Sequence, residues 1–451
     1  MRRVILAPNE VFEEHLLQRV GAFNAQALSA ATTIIEDVRQ RGDEALRELT
    51  ARFDGVELES LRVSDEAIDA AITKVDPVVS DALRTAAKQI RDFHERQKQQ
   101  SWFTIREDGA LVGAKVEPLD SVGIYVPGGR ALYPSSVLMN AIPAAVAGVE
   151  RIVCVTPPTK DGSLDPAILE ACRIAGVTEI YAVGGAQAIA ALAYGTESIP
   201  KVAKITGPGN AFVAAAKKIV SGDVGIDMIA GPSEVCVLAD ETALPELVAV
   251  DLMAQAEHDP LASCYLVTFS QDYADRVERA IEKTLEGSTR KEITASSLTD
   301  KGLIVICDSL TQAIQTVNVI APEHLELHVT KPMELLGQIR NAGAIFMGEW
   351  TPEAVGDYVA GPNHTLPTGG TARYASPLSV DEFVKKSSVI QYSAAALKND
   401  AHAIETIADH EGLWAHAQSV RLRMKLMEHG RVSATAEETP DRMQARAKDR
   451  D

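Results

Sequence analysis

Between about residues 120 and 240 one pattern recurs four times: a short β-branched run, a glycine turn, then an alanine-rich stretch with apolar positions at helical spacing. GIYVPGG leads into SSVLMNAIPAAVAG, RIVCVTPP into PAILEACRIAG, EIYAVGG into AQAIAALAYG, and AKITGPGN into AFVAAAKKIVSG. Strand, turn and helix in that rotation predict a doubly wound parallel sheet. Before it, TIIEDVRQRGDEALRELTARFDG keeps its apolar residues at helical spacing up to Asp54 and Gly55, and a polar-rich helix is expected over 79–100. After it, a second α/β rhythm runs from the strand CVLAD through the helix ETALPELVAVDLMAQAEH to the strands CYLVTFS, GLIVIC and GAIFMG. Residues 351–375 read as a glycine- and proline-rich loop, 380–430 as helical again, and 431–451 as a disordered polar tail.

Composition narrows the class. The chain has 451 residues, 46% of them hydrophobic and only 5% aromatic. Plentiful alanine, valine and isoleucine with few aromatics suit parallel sheet buried under helices. Lys and Arg total 44 against 63 Asp and Glu, a net charge of −19, which repels phosphate backbones and anionic bilayers. Nucleic acid and membrane are therefore not expected partners. The opening MRRVILAPNE has too short an apolar run for a signal peptide, and no run approaches the roughly 18 residues of a membrane span. Cys154, Cys172, Cys236, Cys264 and Cys307 form no CxxC pair, and most sit in apolar runs. Reduced thiols and a cytoplasmic setting follow.

Several stretches carry candidate chemistry. The turns YVPGG, VGGAQ and GPGN lie where strands end and helices begin, a place where free N–H groups receive phosphates. They serve equally as plain tight turns, and GPGNAF departs from the dinucleotide fingerprint because Phe212 stands at the third glycine. QAEH closes a predicted helix with Gln255 and His258 on one face, either a ligand pair or a histidine complementing the helix dipole. GDYVAGPNH sets Asp357 and His364 in a loop, as functional groups or as turn formers. EGLWAH carries Glu411 and His416 in an ordinary amphipathic stretch. In APEHLELHVT, Pro322 precedes Glu323 and His324. That is either a helix start, with proline first and an acid in the first turn, or a pair of proton-handling groups. Together Gln255, His258, Asp357 and His416 make an oxygen and nitrogen set without sulfur, suited to an exchangeable zinc.

The stretches SVGIYVPGG, AVGGAQAIAALAYGT, ITGPGN, AGPSEV, DLMAQAEH, APEHLEL, GDYVAGPNHTLPT and EGLWAH, in this order over roughly residues 20 to 430, resemble the histidinol dehydrogenase family. The resemblance implies oxidation of L-histidinol to L-histidine with two NAD and one Zn²⁺ per subunit. It implies zinc held by Gln255, His258, Asp357 and His416, and NAD contacts from Tyr125, Gln187 and Asn210. Substrate contacts would come from Ser233, Gln255, His258, His324, Asp357, Glu411 and His416, with Glu323 and His324 as the catalytic acid–base pair. The fold implied is α/β, with two Rossmann-like doubly wound domains, additional N- and C-terminal helical segments, and an intertwined homodimer whose active sites are shared between chains. Its expected division is 1–20 as an N-terminal helical segment and 21–120 plus 235–375 as the larger α/β domain with the Glu–His pair and part of the metal site. Residues 121–234 form the NAD-binding domain, 376–430 a helical segment donating metal and substrate ligands, and 431–451 the tail.

The chemistry gives Glu323 and His324 separate tasks. Turning an alcohol into a carboxylate sends out two hydrides. A histidine with an ordinary pKa of about 6.5 suits proton removal, and a carboxylate suits activating the water that makes a gem-diol of the aldehyde. On a helix the two side chains would diverge by about 100° around one carbon. Three alternatives stay open: a sister zinc dehydrogenase of another small alcohol, an enzyme trapping aldehyde on Cys154, and a non-catalytic nucleotide-binding module with a structural metal.

Overall fold

The computed structural model describes residues 1–128 and 132–429, so the tail expected over 431–451 lies outside the described residues. The chain divides into two compact units: Met1–Lys98 with Pro118–Lys385, and Gln99–Glu117 with the described part of Lys386–Asp451. Strands are numbered along the chain. β1 (Arg2–Ile5) is followed by β2 (Trp102–Ile105), β3 (Leu111–Pro118), β4 (Ser121–Tyr125) and β5 (Arg151–Thr156). Next come β6 (Glu179–Ala182), β7 (Lys204–Thr206), β8 (Gly225–Ile226), β9 (Glu234–Ala239) and β10 (Ser263–Thr268). Last are β11 (Leu303–Ile306), β12 (His324–His328), β13 (Ala344–Met347) and β14 (Val384–Gln391).

The fourfold repeat becomes a five-stranded sheet, in the order β6-β5-β4-β7-β8, with every pairing parallel. Strand order reverses between β4 and β7, which is the doubly wound arrangement. Successive side chains enter opposite apolar clusters: Val122, Ile124, Ile152 and Cys154 on one face, Tyr125, Val153, Val155 and Ile205 on the other. The second rhythm becomes a six-stranded parallel sheet, β1-β11-β10-β9-β12-β13, whose order reverses between β9 and β12. In the second unit β14, β3 and β2 form a small sheet, and the helices Ala394–His410 and Trp414–Glu428 are joined by ion pairs of Arg421 with Glu405 and Asp409.

Several local expectations change. Arg2–Ile5 is an edge strand of alternating burial where a helical opening is expected. The helix expected up to Asp54 is two, Ala25–Arg41 and Asp43–Asp54, parted at Gly42. Gly42 has φ of 54°, a Cβ there would lie 2.3 Å from Glu197 Oε2, and the same carboxylate oxygen accepts the N–H of Asp43 at 2.8 Å. Val384–Gln391 is strand rather than helix. Pro322 begins no helix. The helix Leu310–Ile320 ends at Ala321 in left-handed geometry, φ 47° and ψ 59°, and the proline stands just past that cap, where it stops a helix. Glu323 and His324 therefore lead into strand β12, and the expected 100° helical divergence does not apply.

No helix among the described residues is long and apolar enough to cross a membrane. All five cysteines are buried and unpaired. Cys154 is wholly buried within β5, its sulfur a packing group in the core rather than a nucleophile.

Candidate active site

β12 reads HLELH, polar and apolar by turns, so His324, Glu326 and His328 share one face while Leu325 and Leu327 join the apolar cluster on the other. Its neighbour β9 begins at Glu234, and the two strands pair in parallel with His324 level with Val235. Glu323 and His324, 6% and 4% exposed, thus stand at the amino end of the strand, beside Glu234. Glu323 Oε2 accepts the N–H of Glu234 at 2.8 Å and is also hydrogen-bonded by the Ser233 hydroxyl. His324 Nδ1 lies 3.2 Å from the carbonyl of Glu234. The Gln255 side chain, oriented with its nitrogen toward Glu353 Oε1 at 3.0 Å, places that nitrogen 3.0 Å from the same Nδ1. Nδ1 donates to the carbonyl in one tautomer and accepts from the amide in the other. In the first, Nε2 carries the lone pair. It has no hydrogen-bond partner and lies 3.9 Å from Asp357 Oδ1.

Three elements meet here. The helix Pro245–Ala256 brings Gln255 and, just past its end, His258. β12 brings the Glu–His pair. The short helix Glu353–Tyr358, lying in the stretch read as loop, brings Asp357 and Glu353 one turn apart on one face. His258, Glu353 and Asp357 each offer a ligand atom, and these atoms lie within 4.8 Å of one another. Glu353 escapes a sequence reading fixed on the motif GDYVAGPNH; its signal is the four-residue spacing to Asp357. His364 Nδ1 donates to the Asp357 carbonyl at 3.0 Å. A cavity of about 500 Å³, lined among others by Leu138, Tyr133, Glu257, Tyr358 and Val359, reaches His258.

Burial sets the electrostatics. It holds His324 down to about 3 and His364 to about 4, and it lowers His258 although part of that ring is exposed. It pushes Asp357 up to about 7 and Glu323 and Glu353 well above the carboxylate range, with neighbouring carboxylates adding to the rise of both glutamates. Without a cation, this is a pocket of neutral imidazoles and reluctant acids.

Glu411 and His416 belong to the second unit. Glu411 follows the helix Ala394–His410, His416 lies in the first turn of Trp414–Glu428, and both are exposed.

At the five-stranded sheet, the carboxyl ends of β4, β6 and β7 gather the other expected residues. Tyr125 closes β4, and its hydroxyl accepts the N–H of Gly185 at 3.2 Å. Gln187 lies in the next helix, 1% exposed, with Oε1 unpartnered. Asn210 caps the helix Ala211–Val220, accepting from the N–H groups of Phe212 and Val213. Between β7 and that cap, Gly207 has φ of 110°, and a Cβ there would lie 2.1 Å from the Tyr125 carbonyl oxygen. Its N–H donates to Asp227 at 2.8 Å and its carbonyl accepts from Lys217 at 2.9 Å, which fixes the turn.

The histidinol dehydrogenase family profile matches residues 17–424. The chain is 54% identical over 408 residues to histidinol dehydrogenase of Bacillus subtilis, covering 90% of this chain and 96% of that one. It is 53% identical over 416 residues to the Clostridium acetobutylicum protein of the same name, covering 92% and 96%. Its fold is similar to the crystal structure of histidinol dehydrogenase from Elizabethkingia anophelis, with a TM-score of 0.90, 38% identity, and coverage of 95% of this chain and 99% of that chain.

Proposed function

This chain belongs to the histidinol dehydrogenase family and is an oxidoreductase of that kind, and we propose that it oxidises L-histidinol through L-histidinaldehyde to L-histidine with one Zn²⁺ and two NAD. One observation carries the reading: His258, Glu353 and Asp357 converge to within 4.8 Å beside the buried Glu–His pair. The donor set fits zinc. Its ligands are nitrogen and oxygen only, and Glu353, raised by burial and then by the charge of Asp357, is in surroundings a divalent cation relieves. Gln255, His258, Asp357 and His416 would hold the metal, with Glu353 orienting the Gln255 amide so that its oxygen is left as a ligand. Zinc, when bound, supplies a Lewis-acid anchor for the amine and imidazole nitrogens of the substrate. NAD, the hydride acceptor, fits the five-stranded sheet, where the buried Gln187 Oε1 is without a hydrogen-bond partner and Gly207, lying against the Tyr125 carbonyl, draws the turn after β7 close to the end of β4. Tyr125, Gln187 and Asn210 would contact it, making residues 121–234 the NAD-binding domain.

The protein groups then divide the work. His324 donates Nδ1–H to the Glu234 carbonyl, keeps Nε2 free, and takes the substrate hydroxyl proton as hydride leaves. Burial keeps this imidazole neutral, so that Nε2 can accept a proton, while lowering its basicity. Glu323, whose burial raises its basicity, takes a proton from the water that adds to the aldehyde. His324 serves again in the second oxidation. The Ser233 hydroxyl holds Glu323 and the Glu234 carbonyl holds His324, Glu411 would hydrogen-bond the substrate imidazole, and the cavity at His258 admits a molecule of this size.

A homodimer with shared sites suits the second unit. It exposes the large apolar side chains Trp102, Phe103, Ile105, Ile390, Ile407, Trp414 and Leu422, which a second chain would cover. The acidic chain, its reduced cysteines and the lack of a spanning helix among the described residues suit a cytoplasmic enzyme.

The deciding measurement is NADH formed per histidinol consumed, with and without chelator. A yield near two that a chelator abolishes supports the scheme; a yield near one, or indifference to the chelator, refutes it. Glu323→Gln is expected to block aldehyde oxidation far more than alcohol oxidation, and equal loss in both would remove its assigned task. Mixing inactive His416→Ala and Asp357→Ala chains is expected to restore activity through mixed dimers with one intact site.

A further inference from the structure

On the face of the six-stranded sheet that carries His324, every inward position of β12 is polar. His324, Glu326 and His328 stand level with Val235, Val237 and Ala239 of β9. Those three pack in an apolar cluster with Val248, Ala249 and Leu252 of the Pro245–Ala256 helix. Adjacent strands thus offer the same layer opposite surfaces. Glu326 has no exposure and His328 only 3%. His328 Nε2 lies 3.2 Å from Glu326 Oε2 and 3.4 Å from Asp251 Oδ2. Glu326 Oε1 accepts the N–H of Glu353 at 2.9 Å.

This cluster, two carboxylates on one imidazole nitrogen, touches three elements, and each carries a residue of the candidate site at one step's distance. Asp251 is one helical turn before Gln255. Glu326 is two residues past His324 on the same strand face. Glu353, whose N–H Glu326 holds, is one turn before Asp357. Folding alone does not call for such a cluster, because apolar residues of equal volume are often as stabilising as a buried ionic set. Burial, then Glu326, pushes Asp251 up to about 7; burial lowers His328, but the bond to Glu326 and the charges of Glu326, Asp251 and Glu349 together outweigh it and raise the ring.

We infer that Asp251, His328 and Glu326 are positioning residues for the oxidation, a buried clamp that fixes the 245–256 helix, β12 and the 353–358 helix so that Gln255, His324 and Asp357 meet. The inference rests on the reading of the site given above. The clamp acts through other residues, so its loss shows in metal affinity and rate rather than in chemistry of its own.

The test uses full-length His328→Gln and Glu326→Gln, with Asp251→Asn as the variant that disturbs the end of the cluster away from Glu353. Gln312→Leu is the control: Gln312 is equally buried and ties Ala7 and Glu10 to the sheet's other side. Zinc affinity is measured by calorimetry on metal-free protein, kcat and KM with histidinol, and Tm by melting. The expected result is a loss of about 10- to 100-fold in zinc affinity and kcat/KM in the clamp variants, absent from the control at matched loss of Tm. Glu326→Asp, too short to span to the Glu353 N–H, is expected not to rescue. Clamp variants that change Tm only, or that lose no more function than the control, would overturn the inference. So would a second zinc per chain that disappears in His328→Gln, which would make the trio a metal site. If wild type takes up no zinc, the metal set proposed above fails by itself, and kcat against KM still decides the clamp.

Discussion

The two parallel sheets of the larger unit share one winding plan and spend it differently. In the five-stranded sheet both faces of the strands pack into apolar clusters, and the proposed cofactor contacts lie in the turns: Gly207, the Asn210 cap and the N–H groups opening the following helices. In the six-stranded sheet the chemistry is in the strands. β12 carries imidazoles and carboxylates into the core, and the Glu–His pair stands at its amino end, not the carboxyl end where ligands of such sheets usually bind. A phosphate-bearing cofactor is met by backbone, which any apolar sheet can present. A proton must be met by a side chain of tuned basicity, and burial does the tuning. On the proposed reading, the same architecture would serve recognition where its ends are open and acid–base chemistry where its face is closed.

The largest test of this contrast is His324→Gln. Loss of a general base lowers kcat by ~10²- to 10⁴-fold, with the KM for NAD unchanged; a fall below tenfold would send the search for the base elsewhere. Gly207→Ala probes the other sheet. A Cβ there would lie 2.1 Å from the Tyr125 carbonyl oxygen, so the turn must shift, and NAD KM is expected to rise while zinc affinity stays as in wild type. Equal damage to both would mean that the sheets are not separable in function. Asn210→Ala removes a helix cap worth about 1 kcal/mol, read as a lower urea midpoint together with weaker NAD binding.

The smallest effect is in acid. Asp240, past the end of β9, accepts from the N–H of Thr330 at 2.7 Å and of Thr242 at 2.9 Å. Burial raises this carboxyl, but those bonds and the threonine hydroxyls outweigh it and hold its pKa below the ordinary 3.8. Its stabilisation is then complete above pH 3.8 and is lost as pH falls through the depressed value. Urea midpoints of wild type and Asp240→Asn should differ at neutral pH and converge on acidification. A constant gap down to pH 2 would assign the effect to shape rather than charge.

The same contrast explains what was readable from sequence. Strand, glycine turn and helix repeat at short range in the five-stranded sheet, and its winding follows from them. The Glu–His pair was legible as chemistry but not as structure. A proline before an acid suggests a helix start, whereas Ala321 in left-handed geometry makes Pro322 a stop signal, and the period-two alternation of HLELH is the better guide. Asp357 was legible as a candidate, its helix was not, because glycine and proline around it mask six helical residues. Asp251 and His328 were silent, because their meaning depends on which helix the sheet faces, and Glu353 had only its four-residue spacing to Asp357. His416 and Glu411 gave only a weak signal before the family resemblance, since residues in an ordinary amphipathic stretch announce little chemistry by themselves.

The core cysteines give the two sheets separate clocks. Cys154 and Cys172 are sealed in one, Cys236, Cys264 and Cys307 in the other. A thiol-modifying reagent reaches a sealed sulfur only when its surroundings come apart, so labelling rates read by peptide mass would time the opening of each layer independently. Ligands could then be ranked by which clock they slow.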